Sequence, residues 1–206
     1  MPITISNFDK EYDRDSRFDK AQFNEINKFK EGDIISFGPC DWIILENIKD
    51  SGIGMISKSI LFYAYLGPIP IGGTSFQGTI TYKNIITMMN AQNFIDKLFN
   101  KQEQSMLYLS KTNTIKKLYL PDLLDINKLQ SLSEQLNNNF LVSKSDIFED
   151  LIKEEQEIFE PEKPQCGWWV DSPNADYTII NENGKEDTLK DGGVYGVRPV
   201  IYLKIS

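Results

Sequence analysis

The chain has 206 residues, 40% of them hydrophobic and 12% aromatic, which is enough to bury a core and excludes a wholly disordered chain. Its formal charge of −8 offers no basic face to a nucleic-acid backbone or an anionic membrane surface, so nucleic acid is not expected as a partner. The absence of histidine removes Ser-His-Asp and Cys-His catalysis, histidine-ligated zinc and a histidine pH switch.

The opening residues, MPITISNFDKEYDRDS, lack the basic start and apolar stretch of a secretory signal, and no run of 18 apolar residues follows. A cytoplasmic chain without a membrane span is the expectation. Charge dominates residues 7 to 31, with Phe18, Phe23, Ile26 and Phe29 three to five apart. That pattern predicts an amphipathic helix or a solvated polar arm over 1–31, ahead of a domain over 32–206.

From residue 33 the pattern changes. DIISF and DWIILE are short apolar runs rich in β-branched residues, and KDSG is a turn before IGMISK. They predict three strands joined by tight connections over about residues 33 to 58. Residues 65 to 79, YLGPIPIGGTSFQGT, hold four glycines and two prolines and are expected to be a long irregular loop. YKNIITMMNAQNFIDKLFNKQEQSML reads as helix, with Ile85, Met88 or Met89, Phe94, Ile95 and Leu98 three to four residues apart. Polar Asn90 to Asn93 is a candidate break into two helices. The stretch LYLPDLLDINKLQSLSEQLNNNFLVSK is mixed and yields no assignment. A further helix is expected over SDIFEDLIKEEQEIF, where Asp146 and Glu149 form a capping-box pattern and EPEKP stops the helix. WWVDSP and YTIINENGKE predict a strand and a hairpin arm with NENG as the turn. YGVRPVIYLKIS is expected to close the chain as one strand, with Val197, Ile201, Leu203 and Ile205 on one face and Pro199 at an edge or bulge.

Taken in order, Asp41-Trp42-Ile43-Ile44-Leu45-Glu46, Ile56-Ser57-Lys58, Met89-Asn90 with Phe94 and Leu98-Phe99, Trp168 to Pro173, and Gly196-Val197-Arg198-Pro199-Val200 resemble one pattern. It is that of an uncharacterised bacterial domain family related to the C-type-lectin-like fold shared with formylglycine-generating-type proteins. The resemblance covers about residues 32 to 205. The chain departs from it at Asp171, where family members tend to carry arginine, and at Asn174, where they tend to carry glycine. Arginine and tryptophan are also usual where Ile86 and Met88 stand. The fold implied is α+β and C-type-lectin-like: a twisted antiparallel sheet whose first and last strands pair, two or three flanking helices, and a long loop region.

That resemblance makes calcium the cofactor to consider, since it needs several oxygen ligands together. Glu160, Glu162, Asp171, Asn174 and Asp176 offer oxygens, but the paired acidic signatures of calcium-dependent lectins are absent, so no metal or cofactor is expected. Formylglycine-type catalysis needs a close cysteine pair. Cys166 stands alone in its half of the chain and Cys40 far from it, and the two are either a disulfide or, as preferred, two reduced thiols. Thirty acidic residues leave a carboxylate-based enzyme formally open without pointing to a pair. The expectation is therefore a non-catalytic module binding a protein or glycan through Tyr63, Tyr65, Phe76, Asp171, Asn174 and Asp176. The alternatives are a cytosolic partner-binding or inhibitory protein, or an enzyme of unrecognised type. Successive strand residues point to opposite faces, so at least one of Trp168 and Trp169 is expected in the core. Arg198 is read as fixing the corner of the last strand beside an acid, in preference to clamping an anionic ligand.

Overall fold

The computed structural model describes residues 28–38, 40–48, 52–71, 75–107, 117–142, 167–172, 177–190 and 192–204, with the backbone alone described across 68–71 and 75–80. In chain order the strands are β1 (Ile34–Phe37), β2 (Cys40–Ile48), β3 (Gly52–Ser57), β4 (Phe62–Ile71), β5 (Ser75–Ile80), β6 (Leu118–Tyr119), β7 (Gly167–Val170), β8 (Tyr177–Asn181), β9 (Glu186–Leu189), β10 (Gly193–Val197) and β11 (Val200–Lys204). The helices are α1 (Tyr82–Met89), α2 (Gln92–Leu98), α3 (Lys101–Met106) and α4 (Leu123–Gln135). The protein is thus α+β. It forms two compact units, one from residues 1–58, 88–119 and 199–206, the other from 59–87 and 120–198.

The first unit holds a five-stranded antiparallel sheet in the order β1-β2-β3-β11-β6. The three strands expected between residues 33 and 58 are present, and a bulge between Ile44 and Glu46 interrupts the β2–β3 register. Gly38 turns the β1–β2 corner at φ +59, and a Cβ there would lie 2.7 Å from the Phe99 ring. Alternation sends Phe37, Trp42, Ile44, Met55, Ile53, Ile201 and Leu203 to one face, all of them buried. The Phe99 ring packs there against Phe37 and Trp42, at centroid distances of 5.4 and 6.4 Å, and Trp42 Nε1 donates to the Phe37 carbonyl at 2.7 Å.

The helical stretch after residue 82 divides into three. The first break falls at Asn90-Ala91, as the polar interruption suggested. There Asn90 is withdrawn from the helix to serve β6: its Oδ1 accepts from Lys117 N and Leu118 N at 2.6 and 3.1 Å, and its Nδ2 donates to the Leu118 carbonyl at 2.8 Å. The second break carries a capping box, in which Asn100 Oδ1 accepts from Glu103 N and Glu103 Oε2 from Asn100 N. Glu103 is buried, and its other oxygen accepts from Gly38 N at 3.2 Å, tying α3 to the β1–β2 corner.

The second unit is built on a six-stranded sheet ordered β5-β4-β10-β7-β8-β9, in which β10 and β7 run parallel and every other pair antiparallel. The unassigned stretch after residue 117 yields β6 and α4. A capping box starts α4, Asp122 accepting from Leu124 N and Asp125 N while Asp125 accepts from Asp122 N.

Three expectations are corrected. Residues 65 to 79 are not an irregular loop: β4 and β5 form a hairpin through them, with a register shift between Pro68 and Pro70. Two residues apart, both prolines lack their N–H on the same side of the strand, and they lie beyond Leu66, where β10 stops pairing with β4. The closing run is not one strand either. It breaks at Arg198-Pro199, so Val197 belongs to β10 in the second unit's sheet, and Ile201 and Leu203 to β11 in the first unit's. Nor do the first and last strands pair: β11 lies between β3 and β6, and β1 pairs with β2. Of the arm or helix expected over 1–31, residues 1–27 lie outside the described residues, as does the helix expected over 145–159.

Candidate functional site

The two tryptophans of β7 organise the second unit from opposite faces of its sheet. Register places Trp168 with Ile180 and Gly196, and Trp169 with Ile179, so neighbouring indoles look in opposite directions. Both are buried, at 1% and 0% exposure, so neither is an open platform.

On one face, Trp168 Nε1 donates to the Leu141 carbonyl at 3.0 Å. The Arg198 guanidinium lies 4.7 Å from the Trp168 ring centroid and donates through Nη1 to the Phe140 carbonyl at 2.8 Å. Arg198 is fully buried, so its cation–π contact is shielded from water. These two contacts at the strand corner are to an indole and a carbonyl, where an acid was the expected partner.

On the other face, Trp169 Nε1 donates to the Ala64 carbonyl at 2.8 Å. Three tyrosines meet its ring edge to face: Tyr195 at 4.9 Å, Tyr82 at 6.3 Å and Tyr177 at 6.3 Å. Tyr82 opens α1, and its hydroxyl accepts from Thr178 N at 2.9 Å and faces the Thr178 carbonyl at 3.5 Å. Burial pushes this phenol up to about 12; the Thr178 backbone bond works against that, and the charges of Asp171 and Tyr177 add to it. Tyr82 is therefore a neutral, hydrogen-bonded post at ordinary pH and not a nucleophile.

Asp171 follows β7, half-buried. Its N–H donates to the Pro121 carbonyl at 2.8 Å and its backbone bridges to Asp122 in parallel. Continuing the β7–β8 register sets it opposite Tyr177, also half-buried, on the Trp169 face. Tyr177 and Asp171 thus form a partly open corner, an aromatic ring beside a carboxylate, with Trp169 and Tyr82 beneath. The carboxylates of Asp122 and Asp125 are spent on the α4 cap. Among the described residues, no group of three or more Cys, Asp or Glu is placed to hold a metal ion.

The expected ligand residues do not form one cluster. Tyr63 and Tyr65 alternate with Ala64 and pair with Gly196 and Val194, which puts them on the Trp168 face, opposite Asp171. Phe76 sits in β5 opposite Pro70. Asn174 and Asp176 lie outside the described residues, as do Cys166, Glu160 and Glu162. Cys40 is buried in β2. Sequence reasoning missed Tyr82 and Tyr177. The signal for Tyr177 was its place at the head of the strand after WWVDSP; nothing in the sequence ties Tyr82, 87 residues before Trp169, to that strand. Among the described residues no helix is long and apolar enough to cross a membrane. Comparisons with family models, curated proteins and solved structures find no match.

Proposed function

We propose that this chain is a non-catalytic binding module on a C-type-lectin-like scaffold, recognising a protein or glycan at the Tyr177–Asp171 corner, within the segment 171–177. The observation that carries the reading is the pairing of a half-buried ring with a half-buried carboxylate above the buried Trp169 ring. Such a corner offers an apolar face for stacking and an acceptor for hydroxyl or amide donors, the combination small polar ligands and peptide side chains require. Hydrolysis by a carboxylate pair would need a second convergent acid, and the nearby carboxylates of Asp122 and Asp125 are engaged in capping. Tyr63 and Tyr65 belong to a separate surface in this reading. The test is a glycan array run beside a pull-down from lysate, with the parent chain, Asp171→Ala and Tyr177→Ala. Ligand retained by the parent and lost by both variants at unchanged melting temperature supports the reading. A ligand held equally by all three removes the corner from it.

A further inference from the structure

The chain contains a single Asn-Gly step, Asn183-Gly184, at the tip of the β8–β9 hairpin. The loop has the geometry of a short hairpin turn closed by a left-handed glycine: Gly184 has φ +74, and Asn181 N donates to the Lys185 carbonyl at 2.8 Å. The residue that holds the turn is Asn181, whose side-chain oxygen accepts from Asn183 N at 3.0 Å and Lys185 N at 3.1 Å. The Asn183 side chain is exposed and takes no part in that network. We propose that Asn183 is a modification site, at which deamidation proceeds through a succinimide and is governed by opening of this hairpin tip.

The reaction needs no partner beyond water. The Gly184 amide nitrogen, losing its proton, attacks Cγ of Asn183; the new N–C bond closes a five-membered imide and ammonia leaves. Water then opens the imide on either side, giving aspartate or isoaspartate. Glycine permits the approach because no Cβ stands beside the attacking nitrogen. One feature of the folded turn opposes it. Gly184 N donates to the Asn181 carbonyl at 2.9 Å, which holds the proton the attack must release. The tip must therefore open first, and Gly184 must leave its place beside Leu141 and Val142 to do so. Strand β9 ends the sheet, pairs with β8 and exposes Glu186, Asp187 and Thr188. Isoaspartate would add a backbone methylene inside the loop and a charge between Glu182 and Glu186, spoiling the register that sets Ile180 against Glu186.

The test incubates the full chain, Asn181→Ala, and a synthetic peptide spanning 180–186 in mildly alkaline buffer, with digestion and mass spectrometry over time. The expected result is a one-dalton gain with isoaspartate at Asn183, several-fold slower in the chain than in the peptide and faster in Asn181→Ala. Should that variant fail to fold, low urea far below the unfolding transition is expected to speed conversion in the parent. A chain that stays unconverted at Asn183 while the peptide converts, with no acceleration by the variant or by urea, overturns the proposal. So does conversion as fast in the chain as in the peptide, which would mean the turn governs nothing.

Discussion

Glu103 is the sharpest place to test how the first unit is held. Its carboxylate is 3% exposed and accepts two backbone N–H groups, from Asn100 at 2.8 Å and from Gly38 at 3.2 Å. Hydrogen bonds to a charged acceptor contribute about 1.5–3 kcal/mol each, and their loss leaves two donors in poorly solvated surroundings. Alanine returns a few tenths of a kcal/mol in helix propensity. Glu103→Ala is thus expected to cost about 3–5 kcal/mol, which for a chain of this size lowers the melting temperature by roughly 6–20 °C. Glu103→Gln keeps one acceptor and turns the other oxygen into a donor facing a donor, so it falls between alanine and parent. Urea and thermal denaturation followed by circular dichroism measure all three. If Glu103→Ala melts with the parent, the carboxylate is not the tie between α3 and the β1–β2 corner.

Trp169→Ala and Trp168→Ala should each destabilise by about 3–5 kcal/mol in urea melts, because both indoles are buried and bonded to a carbonyl; two normally stable variants would contradict their place in the core. One tyrosine should resist ionisation in an ultraviolet pH titration until about pH 12, and Tyr82→Phe should remove that step. With its folded value raised from 10.0 to about 12, Tyr82 stabilises the fold fully below pH 10 and loses that contribution as pH climbs through about 12. Asp96 is held down to about 2 by hydrogen bonds from Lys101, Gln104 and Gln92, so its contribution is present above about pH 3.8 and lost as pH falls through about 2; acid titration of Asp96→Asn should show a smaller loss there than the parent. Removing residues 199–206 takes out an inner strand, and a truncated chain that keeps the parent's cooperative melt would contradict the β3-β11-β6 order.

Local pattern carried much of this fold. The three strands before residue 58, the β8–β9 hairpin and the first break in the helical stretch were legible because period and turn residues act within a few residues of each other. What escaped depends on distant partners. The glycines and prolines of 65–79 speak for a loop, yet once one face of the hairpin is left without a neighbouring strand, two prolines on the same side cost no further ladder bonds. YGVRPVIYLK reads as one strand because nothing short-range announces that Val197 and Val200 join different sheets. At the candidate corner, Asp171 was visible as an acid after a strand. Its ring partners were not, since Tyr82 comes to Trp169 across the chain and Tyr177 gains meaning only from the β7–β8 register.

The position of β11 has a consequence for the order of events during synthesis. It is made after every other described strand, yet it joins β6 to β3 inside the first unit's sheet. While the ribosome still holds residues 200–204, β3 has an unpaired edge and β6 has nothing to pair with. From the synthesis of β3 until β11 emerges, the nascent chain therefore carries an open, apolar strand edge of the kind that pairs with neighbouring chains.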